Sequence, residues 1–388
     1  MSLHEELVRL RHALHREPEV GLDLPRTQEK VLAALDGLPL EVTTGKALSS
    51  VTAVLRGETP GPTVLLRADM DALPVQERAA VPYRSRFDGR MHACGHDLHT
   101  SMLVGAAHLL AARRDGLAGN VVFMFQPGEE GHDGARLMIE EGVLDASGSR
   151  PAAAYGMHVF STMIPQGLFL TKGGPMLAAS EDLTVTVRGR GGHGSTPHRS
   201  LDPIQAGCEI VSQLQTYVTR AFDVFDPVVI TVGAFHGGTA GNIIPDEARL
   251  QVTIRSFSEQ ARTRVKDGAV RLVRGVAEAH GLTADCEFGV GYPVTVNDQT
   301  EADFAARTVQ EALGEHRFLP MPQPATGSED FSLVLNEVPG AFLALGAAPG
   351  DPTDAPINHS PEAVFDDAVL SDGAAVYAEL AARRLALL

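Results

Sequence analysis

Three short apolar runs constrain this chain most: Val51-Thr-Ala-Val-Leu-Arg56, Thr63-Val-Leu-Leu-Arg-Ala68 and Asn120-Val-Val-Phe-Met-Phe125. Each is too short for a stable helix and shows little polar alternation, as expected of a strand buried on both faces. Between them, Leu98, Met102, Ala106 and Leu109 mark one face of a helix, and a second helix is expected from Gly134 to Leu144. Strands that alternate with helices imply an α/β fold, a mostly parallel sheet with helices on both faces. In such sheets ligands bind beyond the carboxyl ends of the strands. Asp69 and Asp71 follow one strand directly, and Glu129 and Glu130 follow another. His158 falls near the end of the strand Ala152–Met157, and a last strand, Ala341–Gly346, leads towards His359. Residues far apart in sequence therefore converge on one edge.

The pattern changes after Gly173-Gly-Pro175. Leu183–Arg188 alternates like a half-exposed strand, and Pro203–Arg220 reads as a helix. Pro227–Ala234 and Ala248–Ser256 read as strands, Ser258–His280 as a helix and Ala284–Gly289 as a strand. This β-α-β-β-α-β order is the ferredoxin-like α+β pattern. A length of 388 residues also leads one to expect two domains. The expected division is a discontinuous catalytic domain, 1–178 and 294–388, with an inserted domain at 179–293.

Met91-His-Ala-Cys-Gly-His-Asp-Leu-His99 packs one cysteine and three histidines into nine residues. Cys94 and His96 offer a thiolate and an imidazole two positions apart, donors suited to zinc-like ions. Glu129 and Glu130 add adjacent carboxylates between a buried strand and a helix start, and His158 and His359 add two imidazoles. So many donors at breaks in apolar runs are hard to explain as packing, and they point to a dinuclear metal hydrolase. His99 could hydrogen-bond near the site or simply face solvent or the core. His12, His15, His108, His198 and His280 read as surface or capping residues, and Cys208 as inert core in an apolar helix.

Thirty-two basic against forty-nine acidic side chains give a net charge of −17, which argues against nucleic acid or an anionic membrane as partner. Three widely spaced cysteines do not suggest a disulfide framework, so a reducing cytoplasm is expected. Leu3, Leu7, Leu10 and Leu14 recur among charges as in an amphipathic helix, without a signal sequence, and no run is long enough to span a bilayer.

Several motifs together resemble one family. They are Arg67-Ala-Asp-Met-Asp-Ala-Leu-Pro74, the Cys94 segment, Gln126-Pro-Gly-Glu-Glu130, Gly192-His-Gly-Ser-Thr-Pro197, Gly238-Thr-Ala-Gly-Asn-Ile-Ile-Pro245 and Gly327-Ser-Glu-Asp-Phe-Ser332. In this order they are similar to the aminoacylase/carboxypeptidase superfamily of metallohydrolases, in its hippurate hydrolase and auxin-conjugate amidohydrolase branch. The resemblance implies two divalent ions bridged by one protein ligand. Cys94 would bridge, His96 and His158 would complete one ion, and Glu130 and His359 the other. The wider superfamily has His-x-Asp where this chain has Asp69-Met-Asp71. His96 would replace that missing histidine, and a thiolate would replace the usual bridging carboxylate. Metal identity stays open among zinc, manganese, cobalt and nickel.

Roles are expected for the other residues. Glu129, beside its ligating neighbour, would be the general base that moves a proton from water to the leaving amine, and Asp71 would orient a ligand imidazole. Asp69 is expected only to stabilise the loop, and Ser328-Glu329-Asp330 would shape the cleft without a defined chemical role. The resemblance implies that His193 would stabilise the oxyanion from the second domain of a partner subunit, that Asn242 would donate to the substrate, and that Arg255 would clamp a substrate carboxylate. A cytoplasmic homodimer that hydrolyses N-acyl-amino acids to a carboxylate and a free amino acid is the expected protein. A dipeptidase or carboxypeptidase on the same scaffold is the nearest alternative. Gly189-Arg-Gly-Gly-His-Gly194 also satisfies the dinucleotide fingerprint, which would make the chain a nicotinamide-dependent oxidoreductase. That motif should open a helix, yet Pro197 follows closely.

Overall fold

The computed structural model describes residues 2–388, which fall into two compact units. The first runs to Met176 and resumes over Val296–Gln323 and Asp330–Leu388. The second comprises Leu177–Thr295 and the strip Pro324–Glu329, whose Ala325 bridges to Leu177.

The first unit holds an eight-stranded sheet. Its order is Leu40–Thr44, Val51–Arg56, Ala118–Gln126, Thr59–Asp69, Ala153–Phe160, Gly340–Gly346, Phe169–Thr171, Phe318–Pro320. The four central strands, from Ala118–Gln126 to Gly340–Gly346, are mutually parallel. Val51–Arg56, one of the runs that suggested a parallel sheet, instead lies antiparallel to both of its neighbours. The reason is connection length. The few residues between Thr44 and Val51 allow a hairpin but not a crossover.

The central strands are buried on both faces, which is why their sequences do not alternate. Val64, Leu66 and Ala68 join Val121, Phe123, Phe125 and Tyr155 in one core. Leu65, Met124, Ala154 and Phe342, on the opposite face, are equally buried. The helix His96–Ala111 packs on the Thr59–Asp69 strand beneath the helices Leu3–Arg16, Pro25–Leu35 and Leu370–Leu387. It is buried almost all round from His96 to Ala107, so the single apolar face read from Leu98, Met102, Ala106 and Leu109 understates its environment. The helix expected over 134–144 ends at Glu140, and a 3-10 turn covers Val143–Asp145.

The amphipathic N-terminal helix forms as expected, but its buried stripe also includes Arg11 and His15. They follow Leu7 at helical spacing and so turn inward with it. His15 is not a surface residue. Its Nδ1 lies 2.8 Å from Asp97 Oδ2 and its Nε2 3.1 Å from Glu77 Oε1. Arg11 Nε stands 2.8 Å from the same Asp97. Removing one partner of a buried ion pair costs about 3–5 kcal/mol, so this network ties the helix firmly beneath the Cys94 segment. Among the described residues, no helix is long and apolar enough to cross a membrane.

The second unit contains a four-stranded antiparallel sheet, ordered Val228–Gly237, Glu247–Ser256, Ala179–Arg188, Thr283–Phe288. In chain order this is 2-3-1-4, the ferredoxin-like arrangement. Helices Pro203–Ala221 and Glu259–Ala279 cover one face, against Leu183, Val185, Val187, Leu250, Val252 and Ile254. Both helices start on a side-chain cap, from Asp202 to Ile204 N and from Ser258 to Ala261 N. Cys208 is exposed rather than core. Ala206, Gly207, Ile210 and Leu214 take the buried face of its helix and leave it on the other side. The glycine motif at Gly189–Gly194 leads into the two-residue strand Gly192–His193 and a 3-10 turn at Pro197–Arg199. It opens no helix, and in an antiparallel sheet it frames no βαβ unit, so nothing of a dinucleotide cradle is formed.

Candidate metal centre

The carboxyl ends of the parallel strands carry the chemistry. Asp69 ends Thr59–Asp69, with Asp71 two residues on, and Glu129 and Glu130 lie just beyond Ala118–Gln126. His158 lies within Ala153–Phe160, and His359 on the chain after Gly340–Gly346. Cys94 and His96 come from the turn that opens the His96–Ala111 helix. Gly95 caps that helix with φ 89°, and a Cβ there would stand 2.4 Å from Val159 Cγ2. Only glycine lets the thiol and the imidazole turn towards the same point. His359 itself has φ 72°, with its N–H held by Ala93 O at 2.8 Å. A non-glycine residue in that region costs about 1–3 kcal/mol, as happens at functional sites.

Cys94 Sγ lies 3.2 Å from His158 Nε2 and 3.3 Å from His359 Nε2. His359 Nε2 is 3.1 Å from Glu130 Oε1. Two donor groups result, Cys94–His96–His158 and Cys94–Glu130–His359, each with its ligand atoms within 4.8 Å of one another. Cys94 belongs to both. His158 Nδ1 donates to Val159 O at 2.8 Å, so the Nε2 lone pair faces the thiol.

The donors fit a cation on physical grounds. His96 is fully buried, yet neither of its ring nitrogens makes a hydrogen bond. The nearest carboxylates to the His96 ring, Asp71 Oδ1 at 3.4 Å and Asp69 Oδ2 at 3.6 Å, are too far for good bonds. Orphaned buried polar atoms are rare and call for a partner. Thiolate, imidazole and carboxylate are the donor set of zinc-like ions.

Neighbouring groups strongly displace the protons of these donors. Hydrogen bonds to Cys94 and Glu130 raise His359 to about 10. Burial opposes a charge on His96, but Asp69, Cys94 and Asp71 outweigh it and hold His96 well above the usual imidazole range. Burial, with His99 beside it, pushes His158 well below that range. Burial and Glu130 push the Cys94 thiol up, against the pull of His96 and His359. A bound dication reverses the last of these, because a coordinating thiol is deprotonated.

Asp71 does more than approach an imidazole. Its Oδ1 accepts from Glu129 N at 3.0 Å and its Oδ2 from Glu130 N at 3.1 Å, so one carboxylate clamps the turn that carries both glutamates. Asp69 is likewise no mere loop support. It is fully buried and accepts from Arg67 Nη1 at 2.8 Å and from His99 Nδ1 at 2.6 Å. Arg67 reaches on to Gln126 Oε1 at 2.9 Å and Asp330 Oδ1 at 2.9 Å, and Asp330 also receives Ala135 N. These contacts give Asp330 a place beneath the site. Asn358, which the sequence reading passed over, donates to Cys94 O at 3.2 Å and Val159 O at 3.0 Å. Its only signal was its place beside His359. For Arg67 the signal was an arginine inside a buried strand.

The remaining predicted residues lie in the second unit. His193 is exposed on the short strand Gly192–His193, paired with Ile243, and Asn242 adjoins it through Gly194 N to Asn242 O at 2.8 Å. Ser195 N–H donates to His193 Nδ1 at 3.1 Å, which leaves the ring hydrogen on Nε2 as an outward donor. Arg255 sits in Glu247–Ser256, on the sheet face opposite the helices, where burial lowers its pKa from the usual guanidinium value.

Over residues 65–383 the chain matches the description of Peptidase family M20/M25/M40. It is 37% identical to thermostable carboxypeptidase 2 of Saccharolobus solfataricus, over 98% of this chain and 95% of that one. It is 35% identical to N-acetylcysteine deacetylase of Bacillus subtilis, over 98% and 97% of the two chains. Among solved structures it resembles the Bacillus subtilis YXEP protein, described as a dinuclear metal binding peptidase from the M20 family. That match has a TM-score of 0.84 and 32% identity, over 100% of this chain and 99% of that one. With its strand-end donors, its shared thiol and a match along nearly its full length, the chain belongs to Peptidase family M20/M25/M40.

Proposed function

We propose that this protein is a metal-dependent amidohydrolase that cleaves N-acyl-amino acids into a carboxylate and a free amino acid. One observation carries the reading most: two donor triplets share Cys94, and Glu129 joins His96 and Glu130 in an adjoining group within 4.8 Å. Cys94, His96 and His158 would hold one divalent ion, and Cys94, Glu130 and His359 the other. When bound, two such ions supply Lewis-acid activation of water and of the scissile carbonyl.

The residues supply the rest. Glu129, only 6% exposed and fixed through its backbone by Asp71, takes a proton from the attacking water and returns it to the leaving amine. His193, with its Nε2 hydrogen directed outward, donates to the oxyanion, and Asn242 beside it donates to the substrate. Arg255 binds the free carboxylate of the amino acid through paired hydrogen bonds. Relatives are named as an N-acetylcysteine deacetylase and as a carboxypeptidase, so the assay must separate the two activities.

N-acetyl- and N-benzoyl-amino acids should be turned over in the presence of zinc, manganese, cobalt or nickel, and a chelator should abolish turnover. Arg255→Ala should lower kcat/KM by about 10–100-fold, mainly through KM, as expected for losing hydrogen bonds to a charged group at about 1.5–3 kcal/mol. A preference for unblocked peptides over every N-acyl-amino acid would shift the reading to a peptidase.

The second unit serves as an inserted dimerisation domain in this reading, and His193 acts on the partner's metal centre. A mixed dimer of His193→Ala and Glu129→Gln chains tests this. Each parent homodimer should be inactive, and each heterodimer should regain towards half of wild-type activity, because one of its two sites combines intact residues. No recovery after verified subunit exchange would return His193 to its own chain's site or remove it from catalysis.

A further inference from the structure

His99 lies between two of the imidazoles assigned to one ion and is completely buried. Its ring stacks on that of His96 at 5.3 Å between centroids and meets His158 edge-on at 4.7 Å. Asp69, His96 and His99 together form a donor group of the kind that can hold a metal. The hydrogen bonds give His99 a different job. Val159 N–H donates to His99 Nε2 at 2.8 Å, so that nitrogen presents its lone pair and the ring hydrogen is on Nδ1. Nδ1 meets Asp69 Oδ1 at 2.6 Å. Both nitrogens are thus engaged, and none is left for an ion.

We propose that His99 is a positioning residue that fixes the separation and ring orientation of His96 and His158, and is not itself a ligand. The contacts run through hydrogen bonds towards His158, and through ring stacking and a charge contact towards His96. Towards His158, the ladder between Ala153–Phe160 and Thr59–Asp69 ends at Gly156, so His99 takes the place of a strand partner for Val159 N–H. The carbonyl of the same Val159 accepts from His158 Nδ1 at 2.8 Å, so a pinned Val159 sets the direction of the His158 ring. Towards His96, His99 holds Asp69, whose other oxygen stands 3.6 Å from His96 Nε2. Thr100 Oγ1 bonds Asp69 O at 2.8 Å and locks the helix turn to the strand end. Partners of this kind, which orient ligands without touching the ion, typically account for 10–100-fold in metal affinity.

The proposal rests on the two-ion reading, and titration of the metal-free protein with Co²⁺, followed by calorimetry and by visible absorption, distinguishes the two. His99→Asn keeps an amide donor near the Nδ1 position for Asp69 and has no atom at the Nε2 position to accept from Val159 N–H. It should weaken one ion about 10–100-fold, shift its visible bands and leave the second ion and the metal-free melting temperature unchanged. His99→Gln carries a donor and an acceptor with longer reach and should recover both ions. Two unchanged ions in His99→Asn, or both weakened equally with a fall in the metal-free melting temperature, would overturn the positioning role alone. If His99→Asn does not fold, His99→Gln decides: a wild-type cobalt spectrum supports the role, and loss of one ion refutes it. A wild-type chain that takes up only one ion would overturn the two-ion reading and this proposal with it.

Discussion

Glu129→Gln should retain both metal ions and lose kcat by about 10²–10⁴-fold, the usual worth of a positioned general base. The substitution keeps the side chain's shape and removes only its ability to take a proton. The turn is held through the backbone, by Asp71 on the N–H groups of Glu129 and Glu130, so the geometry should survive. Glu130→Gln should behave differently. Its carboxylate lies against His359 and Cys94, where His359 and His96 outweigh burial and keep it below the usual carboxylate range. Metal content should fall first in this variant, and turnover should recover in part with excess metal. Metal analysis beside single-turnover kinetics separates the two. Equal metal loss in both variants would mean that base and ligand have been exchanged or that both are ligands.

Cys94→Ala should empty both positions, not one. The thiol is the only donor common to both triplets, at 3.2 Å from His158 Nε2 and 3.3 Å from His359 Nε2. Its loss leaves each ion two protein donors and removes the charge that held the pair together. Metal affinity should therefore fall by more than the 10–100-fold typical of a supporting residue, and activity should fall with it. Elemental analysis after dialysis should show close to two ions in the wild-type chain and close to none in the variant. One tightly held ion, unchanged by the substitution, would falsify the bridging assignment.

Much of this was legible in the chain itself. The buried runs at 51–56, 63–68 and 120–125 became sheet strands because local β propensity and unbroken hydrophobicity leave few alternatives. The donors were legible because Cys94, His96, Glu129 and Glu130 interrupt those patterns just where an α/β sheet binds ligands. Strand direction was not legible at Val51–Arg56, since periodicity is the same for parallel and antiparallel neighbours. Nor was the inward face of the first helix, where Arg11 and His15 are buried although charged residues usually point outward.

The sequence by itself determined which residue types the strand ends would offer and, through Gly95, that thiol and imidazole could turn together. Tertiary structure alone decided what each side chain does there. His359 reaches Cys94 across 265 residues of sequence, and Asp330 reaches Arg67 across 263. Asp71 became a clamp on two backbone N–H groups, and His99 became a spacer with both nitrogens engaged, because of neighbours brought in by the packing of strands and helix. A ring nitrogen is a ligand or a tether according to which atom faces it within about 3 Å, and spacing along the chain does not encode that.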